Sequence, residues 1–151
     1  MESQIRTFFR SPLYAVVGAS TDPSKYGHKV FAWYLSRSLP ATPINPSAKT
    51  TAVLSIPTVR NVRDLPKPAE TSVSIITPPG ITRQVLEEAA DAGVKRVWMQ
   101  PGAWDEACVA LAKERGLEVV VYGHQQELGY EGACVLVHGE EGIKAAGRGS
   151  L

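Results

Sequence analysis

The chain has 151 residues, 44% of them hydrophobic, which suits one domain with a sizeable core and leaves too little for two ordinary ones. Lys plus Arg number 16 and Asp plus Glu 15, so no global charge draws it to nucleic acid or to an anionic membrane, and any anion site must be local. No apolar run approaches the ~20 residues that span a bilayer.

Cys108 and Cys134 are the only cysteines, and with His28, His124 and His138 they match no zinc spacing. A disulfide framework is not expected, which points to a reducing, cytoplasmic setting. Residues 1–12 read as an N-terminal extension without the apolar stretch of a secretory signal. Their two arginines leave a mitochondrial leader as a minor alternative, against which Glu2 counts.

From residue 13 the chain alternates between β-rich and helical stretches. Leu13 to Gly18 predicts a strand, followed by the polar loop Gly18-Ala19-Ser20-Thr21-Asp22-Pro23-Ser24-Lys25-Tyr26-Gly27. A helix is expected from about Gly27 to Ser38, with Val30, Phe31, Tyr34 and Leu35 on one face. Pro40 stops it, and Ala41 to Ile44 reads as a second strand ending at Asn45-Pro46. Residues 47–70 are harder. Val53 to Val59 suggests a short strand interrupted by Pro57, and Val59 to Leu65 a helical turn.

Thr71 to Ile76 predicts a strand running into Thr77-Pro78-Pro79-Gly80. A helix from Ile81 to Ala92 follows, with Thr82 as its expected N-cap and Gly93 as its left-handed end. Arg96 to Met99 is the next strand, Asp105 to Arg115 a helix ended by Gly116, and Leu117 to Tyr122 another strand. Ala133 to Val137 is expected to form a last strand. Residues 139–151, rich in glycine and charge, are expected to fray as a flexible tail.

Alternating β and α units imply a doubly wound, Rossmann-like α/β domain over residues 13–138. Its mostly parallel sheet would carry helices on both faces, in three layers. Ligands of such folds bind outside the carboxyl ends of the strands, near the switch point. Four loops therefore define the candidate site: residues 18–27, 45–49, 77–82 and 100–104. The first brings small residues and the hydroxyls of Ser20 and Thr21 to a helix N-terminus, a phosphate-binding arrangement. It lacks the Gly-x-Gly-x-x-Gly of dinucleotide sites.

In the second loop Asn45, Pro46 and Lys49 stand where NAD-binding domains place a carboxylate for the ribose 2′-hydroxyl. A ligand with a phosphorylated ribose suits that exchange, and coenzyme A and NADP both qualify. The third loop is rigid, and Pro78 and Pro79 offer no backbone N–H. In the fourth, Gln100 aims an amide at the ligand edge, Gly102 permits close approach, and Trp104 reads as a packing anchor. No acid–base pair, nucleophile elbow or P-loop appears, so neither catalytic nor metal-binding residues are assigned and the expectation is a binder rather than an enzyme.

Taken together, Val17-Gly18-Ala19-Ser20, Tyr26-Gly27, Lys29-Val30-Phe31, Pro43-Ile44-Asn45-Pro46, Thr77-Pro78-Pro79 and Val97-Trp98-Met99-Gln100-Pro101-Gly102-Ala103 resemble the small stand-alone CoA-binding domain proteins. These are similar to the CoA-binding domain of the succinyl-CoA synthetase α subunit. The resemblance implies a Rossmann-like domain whose cofactor is coenzyme A. By position, Gly18, Ala19 and Ser20 would line the phosphates, and Asn45, Pro46 and Lys49 the 3′-phosphate end. Thr77, Pro78 and Pro79 would flank the ligand, with Thr21, Tyr26, Gly27 and Thr82 nearby, and Gln100, Pro101 and Gly102 would close the other side. Cys134-Val135-Leu136 matches a Cys that family members carry before an apolar pair. The segment before it, residues 123–132, is longer than usual. The synthetase's phosphohistidine domain is absent, so ligase activity is not carried over. Two alternatives stay open: an NAD(P)-binding, oxidoreductase-like protein, and a thiol protein forming a mixed disulfide with CoA through Cys134. The expected partner is a small-molecule nucleotide, neither nucleic acid nor membrane, and self-association is left open.

Overall fold

A computed structural model describes residues 2–122 and 135–147. Its elements, in chain order, begin with α1 (Glu2–Phe8), β1 (Leu13–Val17), α2 (Tyr26–Ser36) and β2 (Ala41–Ile44). A hairpin follows, β3 (Ala52–Val53) and β4 (Ile56–Pro57), then 3-10 turns at Val62–Asp64 and Pro68–Glu70. Then come β5 (Thr71–Ile75), α3 (Pro79–Ala92), β6 (Arg96–Met99), α4 (Glu106–Glu114), β7 (Val119–Val121) and α5 (Val135–Ala145).

Five strands form one sheet in the order β2-β1-β5-β6-β7. Every pairing in it is parallel, with Val17 of β1 opposite both Ile44 and Ile75. Side chains alternate between two apolar layers. One face buries Tyr14, Val16 and Trp98 under α1, α2 and α5, and the other buries Val17, Ile75 and Met99 under α3 and α4. This is the three-layer, Rossmann-like α/β fold. The chain leaves β1 toward β2 on one side and returns to β5 on the other. The crevice between the ends of β1 and β5 is thus the switch point.

Local chemistry explains the element ends. Gly93 closes α3 at φ 97°, a left-handed conformation with no side chain to strain, and its N–H returns to Ala90 O. Asp105 caps α4 by accepting from the Cys108 N–H at 2.9 Å. The Asp105 carboxyl is held below its usual range by that bond and by Arg83.

Three expectations are corrected. The strand expected between Val53 and Val59 is a two-stranded antiparallel hairpin, because Leu54 and Ser55 both take positive φ and turn the chain back. Thr82 does not cap α3. The helix starts earlier, with Pro78 at the cap position and Pro79 in the first turn, and Thr82 is buried one turn in. The strand expected at 133–137 and the fraying tail after it are, from residue 135 to 145, a helix. That helix packs on α1 and α2 through two glycines. A Cβ on Gly139 would stand 2.3 Å from the Trp33 ring, and one on Gly142 2.4 Å from Ile5. Tertiary packing overrides the β preference of Val-Leu-Val. Among the described residues no helix is long and apolar enough to cross a membrane, and no His, Cys, Asp and Glu cluster could hold a metal ion.

Candidate functional site

The first loop leaves β1 at Gly18, whose φ of 98° turns the backbone sharply. Its N–H donates to Ile44 O at 3.1 Å, so the turn is anchored to β2. Gly27, in the first turn of α2, lies against it so closely that a Cβ there would fall 1.9 Å from Gly18 O. Between them Ser20 Oγ accepts from the Asp22 N–H, and Asp22 accepts from both the N–H and the hydroxyl of Ser24. Those two bonds pull the Asp22 carboxyl below its usual range. His28 Nδ1 lies 2.9 Å from Ser20 O, which ties the helix back to the loop. Ala19 is buried and Thr21 is exposed. Lys25, at the N-cap, makes no side-chain capping bond.

Asn45 joins the first loop to the second. Its Nδ2 donates to Ala19 O at 2.9 Å, and its Oδ1 accepts from the Ser47 N–H at 2.9 Å. Both polar atoms are thereby engaged in holding the two loops together. Pro46 and Lys49 follow on the exposed side. In the third loop the Thr82 hydroxyl donates to Thr77 O at 2.9 Å and lies 2.8 Å from Thr77 Oγ1, which fixes the turn around Pro78 and Pro79.

The fourth loop behaves differently. Gln100 is fully buried, and its side chain serves the protein interior. Oε1 accepts from the Tyr26 hydroxyl at 3.3 Å and from the Val135 N–H at 2.9 Å, while Nε2 points at Ser74 Oγ 3.5 Å away. Ser74 also meets the Tyr34 hydroxyl at 2.6 Å, and burial drives the Tyr34 phenol well above its ordinary pKa. A polar thread thus runs from the central strand through Gln100 to the start of α2 and the start of α5. Pro101 is half-buried and Gly102 is exposed at φ 86°. Trp104 packs edge-on against Tyr122 with ring centres 5.0 Å apart. Cys134 lies outside the described residues.

A cleft of about 260 Å³ opens at the switch point. Of the residues singled out from sequence it brings together Gly18, Pro46 and Thr77. The rest of its wall comes from Val17, Ile44, Arg60, Asn61 and Val62, and from one stripe of α3: Ile81, Gln84, Val85 and Glu88. Gln100, Pro101 and Gly102 do not line it. The sequence reading missed Arg60 and Asn61 because they fall in the irregular 47–70 stretch. Gln84 and Glu88 carried a usable signal: two polar residues at i+3 and i+7 of Ile81, inside an otherwise apolar helical stripe. Asn61 caps the 3-10 turn by accepting from the Arg63 N–H at 2.9 Å. Arg60 and Lys49 form no ion pair among the described residues. The other arginines on the α3 side do: Arg63 with Asp91, Arg83 with Asp105, and Arg115 with Glu87 and Asp91.

The cleft therefore combines an apolar slot with a glycine turn and one cation, Arg60, that forms no ion pair among the described residues, while Lys49 does not line it. Its walls can sandwich a flat ring, and the Arg60 guanidinium can meet a phosphate. It presents no nucleophile–base pair.

The chain matches the model of a family described as CoA binding domain over residues 13–123. Among solved structures it is similar to a conserved hypothetical protein from Pyrococcus furiosus, at 34% identity over 72% of this chain and 90% of that one, with TM-score 0.66. A hypothetical protein from Pyrococcus horikoshii OT3 matches at 29% identity over 80% and 83%, with TM-score 0.72. A protein from Thermus thermophilus matches at 25% identity over 80% and 90%, with TM-score 0.70. The family match spans the whole five-stranded sheet and all four loops, and the chain belongs to the CoA-binding domain family.

Proposed function

We propose that this chain binds coenzyme A, or an acyl-CoA, at the carboxyl ends of its parallel strands and acts as a non-catalytic or regulatory module. The carrying observation is the cleft at the switch point, apolar along Val17, Ile44, Val62 and Val85 and bordered by Arg60, which forms no ion pair among the described residues. An adenine ring suits the slot, the glycine turn suits a pyrophosphate, and Arg60 in the cleft with the exposed Lys49 of the second loop suits the ribose phosphate. Plain NAD suits it less. The position that would hold its ribose 2′-hydroxyl is Asn45, which carries no carboxylate and has both polar atoms bonded within the protein.

Isothermal titration of the purified protein with coenzyme A, dephospho-CoA, NADP and NAD tests the proposal. Coenzyme A should bind most tightly. Loss of the 3′-phosphate should weaken binding about fivefold, the scale of one exposed ion pair of about 1 kcal/mol. Lys49→Ala should remove that difference. No heat and no thermal shift with millimolar coenzyme A would overturn the proposal, and turnover of a nicotinamide cofactor would favour the oxidoreductase alternative.

A further inference from the structure

A buried carboxylate lines the same cleft. Glu88 lies on α3 seven residues beyond Ile81, two turns and about 10 Å along the helix. It is only 9% exposed. Its Oε2 accepts from the Asn61 side-chain amide. No other hydrogen bond or ion pair engages the carboxylate among the described residues. Asn61 is itself fixed, its Oδ1 accepting from the Arg63 N–H while its Nδ2 donates to Glu88. The nearby guanidinium groups of Arg63 and Arg115 are paired with Glu87 and Asp91, on the outside of the helix.

A structural role alone explains this poorly. A carboxylate offers two oxygens and about four acceptor sites, and burying it with one donor is unfavourable. Val17, Ile44, Val62 and Val85 in the same lining offer no side-chain donors, and those of Arg60, Thr77 and Gln84 make no bond to Glu88 among the described residues. The arrangement is a largely apolar slot with an under-used, acceptor-only group in its wall, held in place by an amide. It suits a flat, apolar ring that carries an N–H donor on its leading edge.

We infer that Glu88 is a specificity-determining residue for the base of the bound nucleotide, selecting a 6-amino purine over a 6-oxo purine. The inference rests on the nucleotide-binding reading of the cleft. An exocyclic amine can donate to the free carboxylate oxygen. A 6-oxo group sets oxygen against oxygen and leaves both unsatisfied, the kind of mismatch on which sites discriminate most strongly.

The test compares coenzyme A with its deaminated, hypoxanthine-containing counterpart by calorimetry at neutral pH, on the full chain and on Glu88→Gln. The unmodified protein should bind coenzyme A more tightly by about tenfold or more, the scale of one hydrogen bond to a charged group. Glu88→Gln presents a donor as well as an acceptor and should bring the two affinities together. Where that variant melts below the assay temperature, Glu88→Asp replaces it. It withdraws the charge by one methylene, and the preference should shrink. Equal binding of the two ligands by the unmodified protein overturns the inference and leaves coenzyme A binding standing. So does tighter binding of the 6-oxo base through its N1–H, or an undiminished preference in a folded Glu88 variant. Binding of neither ligand overturns the underlying reading and the inference with it.

Discussion

Replacing Gly27 by Ala should separate two roles that a glycine in a phosphate-type loop can play, freedom of the backbone and closeness of approach. Gly27 does not take a positive φ, so conformational freedom is not what requires it. Space is. The new Cβ would lie 1.9 Å from Gly18 O and 3.0 Å from Gly18 C. A relaxed carbon–oxygen contact lies near ~3.3 Å, so the two backbones must part by roughly 1.4 Å. Neither side yields easily. Gly18 is pinned to β2, the Val17 carbonyl accepts from Ile76, and α2 is held by the fully buried Val30, Phe31 and Tyr34. Overpacking of this kind costs about 1–3 kcal/mol, and the upper end applies where both partners are backbone. A helix-propensity gain of at most about 1 kcal/mol offsets part of it. The net is about 2 kcal/mol, which at ~2–4 °C per kcal/mol for a chain of this size lowers Tm by roughly 4–8 °C. Gly80→Ala is the control. It also sits in the first turn of a helix, but its nearest atom is Arg83 Nη2 at 3.9 Å. There the propensity term acts alone, and Tm should rise by up to about 4 °C. Circular dichroism melts of both variants decide the matter. If Gly27→Ala melts within a degree of the unmodified chain, or gains as Gly80→Ala does, the contact between α2 and the first loop is not as close as described. Coenzyme A binding to Gly27→Ala should weaken in parallel, since the loop that moves is the one proposed to meet the phosphates.

Two other perturbations test the rest of the frame. Gly139→Ala puts a Cβ 2.3 Å from the ring of Trp33, which is wedged between Phe9 and Tyr34. Tm should fall by the equivalent of about 1–2 kcal/mol, with a change in tryptophan fluorescence, whereas propensity alone would raise it. Asp22, Asp91 and Asp105 all hold pKa values below the usual carboxylate range. The causes are, in order, the Ser24 hydroxyl and N–H, the guanidinium groups of Arg115 and Arg63, and the Cys108 N–H with Arg83. Their native values are depressed, so the stability they add is present above the unfolded value near ~3.9 and is lost as pH falls through the native values. Acid melts should steepen below pH ~4. Asp105→Asn keeps the helix cap and removes the charge, and should flatten that limb. An unchanged acid limb would refute the assignment.

How far the sequence carried follows from where its information is local. Strands β1, β2, β5, β6 and β7 were legible because each is a short β-rich run set off by a glycine, a proline or a polar turn. Helix α3 was legible because Val85, Leu86 and Ala89 repeat at helical spacing before a glycine whose φ is 97°. The cleft was only half legible. Gly18, Pro46 and Thr77 sit at strand ends, where the fold rule looks for ligand. Arg60 and Asn61 reach the same cleft by a longer route. The chain makes a hairpin, then Val59 pairs in parallel with Ile44 and delivers the next two residues to the edge of the sheet. No local period announces such an excursion. Gln100 shows the opposite limit. Its position at a strand end was readable, but its environment was not. The groups that bind it, Tyr26, Ser74 and Val135, lie 74, 26 and 35 residues away.

Helix α5 carries the argument one step further. Ala133 to Val137 reads as a strand, and the glycine- and charge-rich stretch from Gly139 reads as a fraying tail. In the fold Gly139 and Gly142 are what allow the helix to pack where it does. Any side chain at 139 or 142 would collide with Trp33, Ile5 or Phe9, and the aromatic face they press against runs from Phe8 and Phe9 through Tyr14 and Tyr34 to Trp98. Glycine lowers helix stability by about 1 kcal/mol each. Close packing against fully buried aromatic rings exceeds that. The same layer holds the Gln100 thread that ties the start of α5 to the start of α2. The first loop is therefore steadied from two directions, by Gly27 pressed against Gly18 and by Tyr26 bonded through Gln100 to α5. A loop held in this way would have little ordering left to do on meeting the phosphates proposed for it, which is the condition under which backbone donors bind phosphate most effectively.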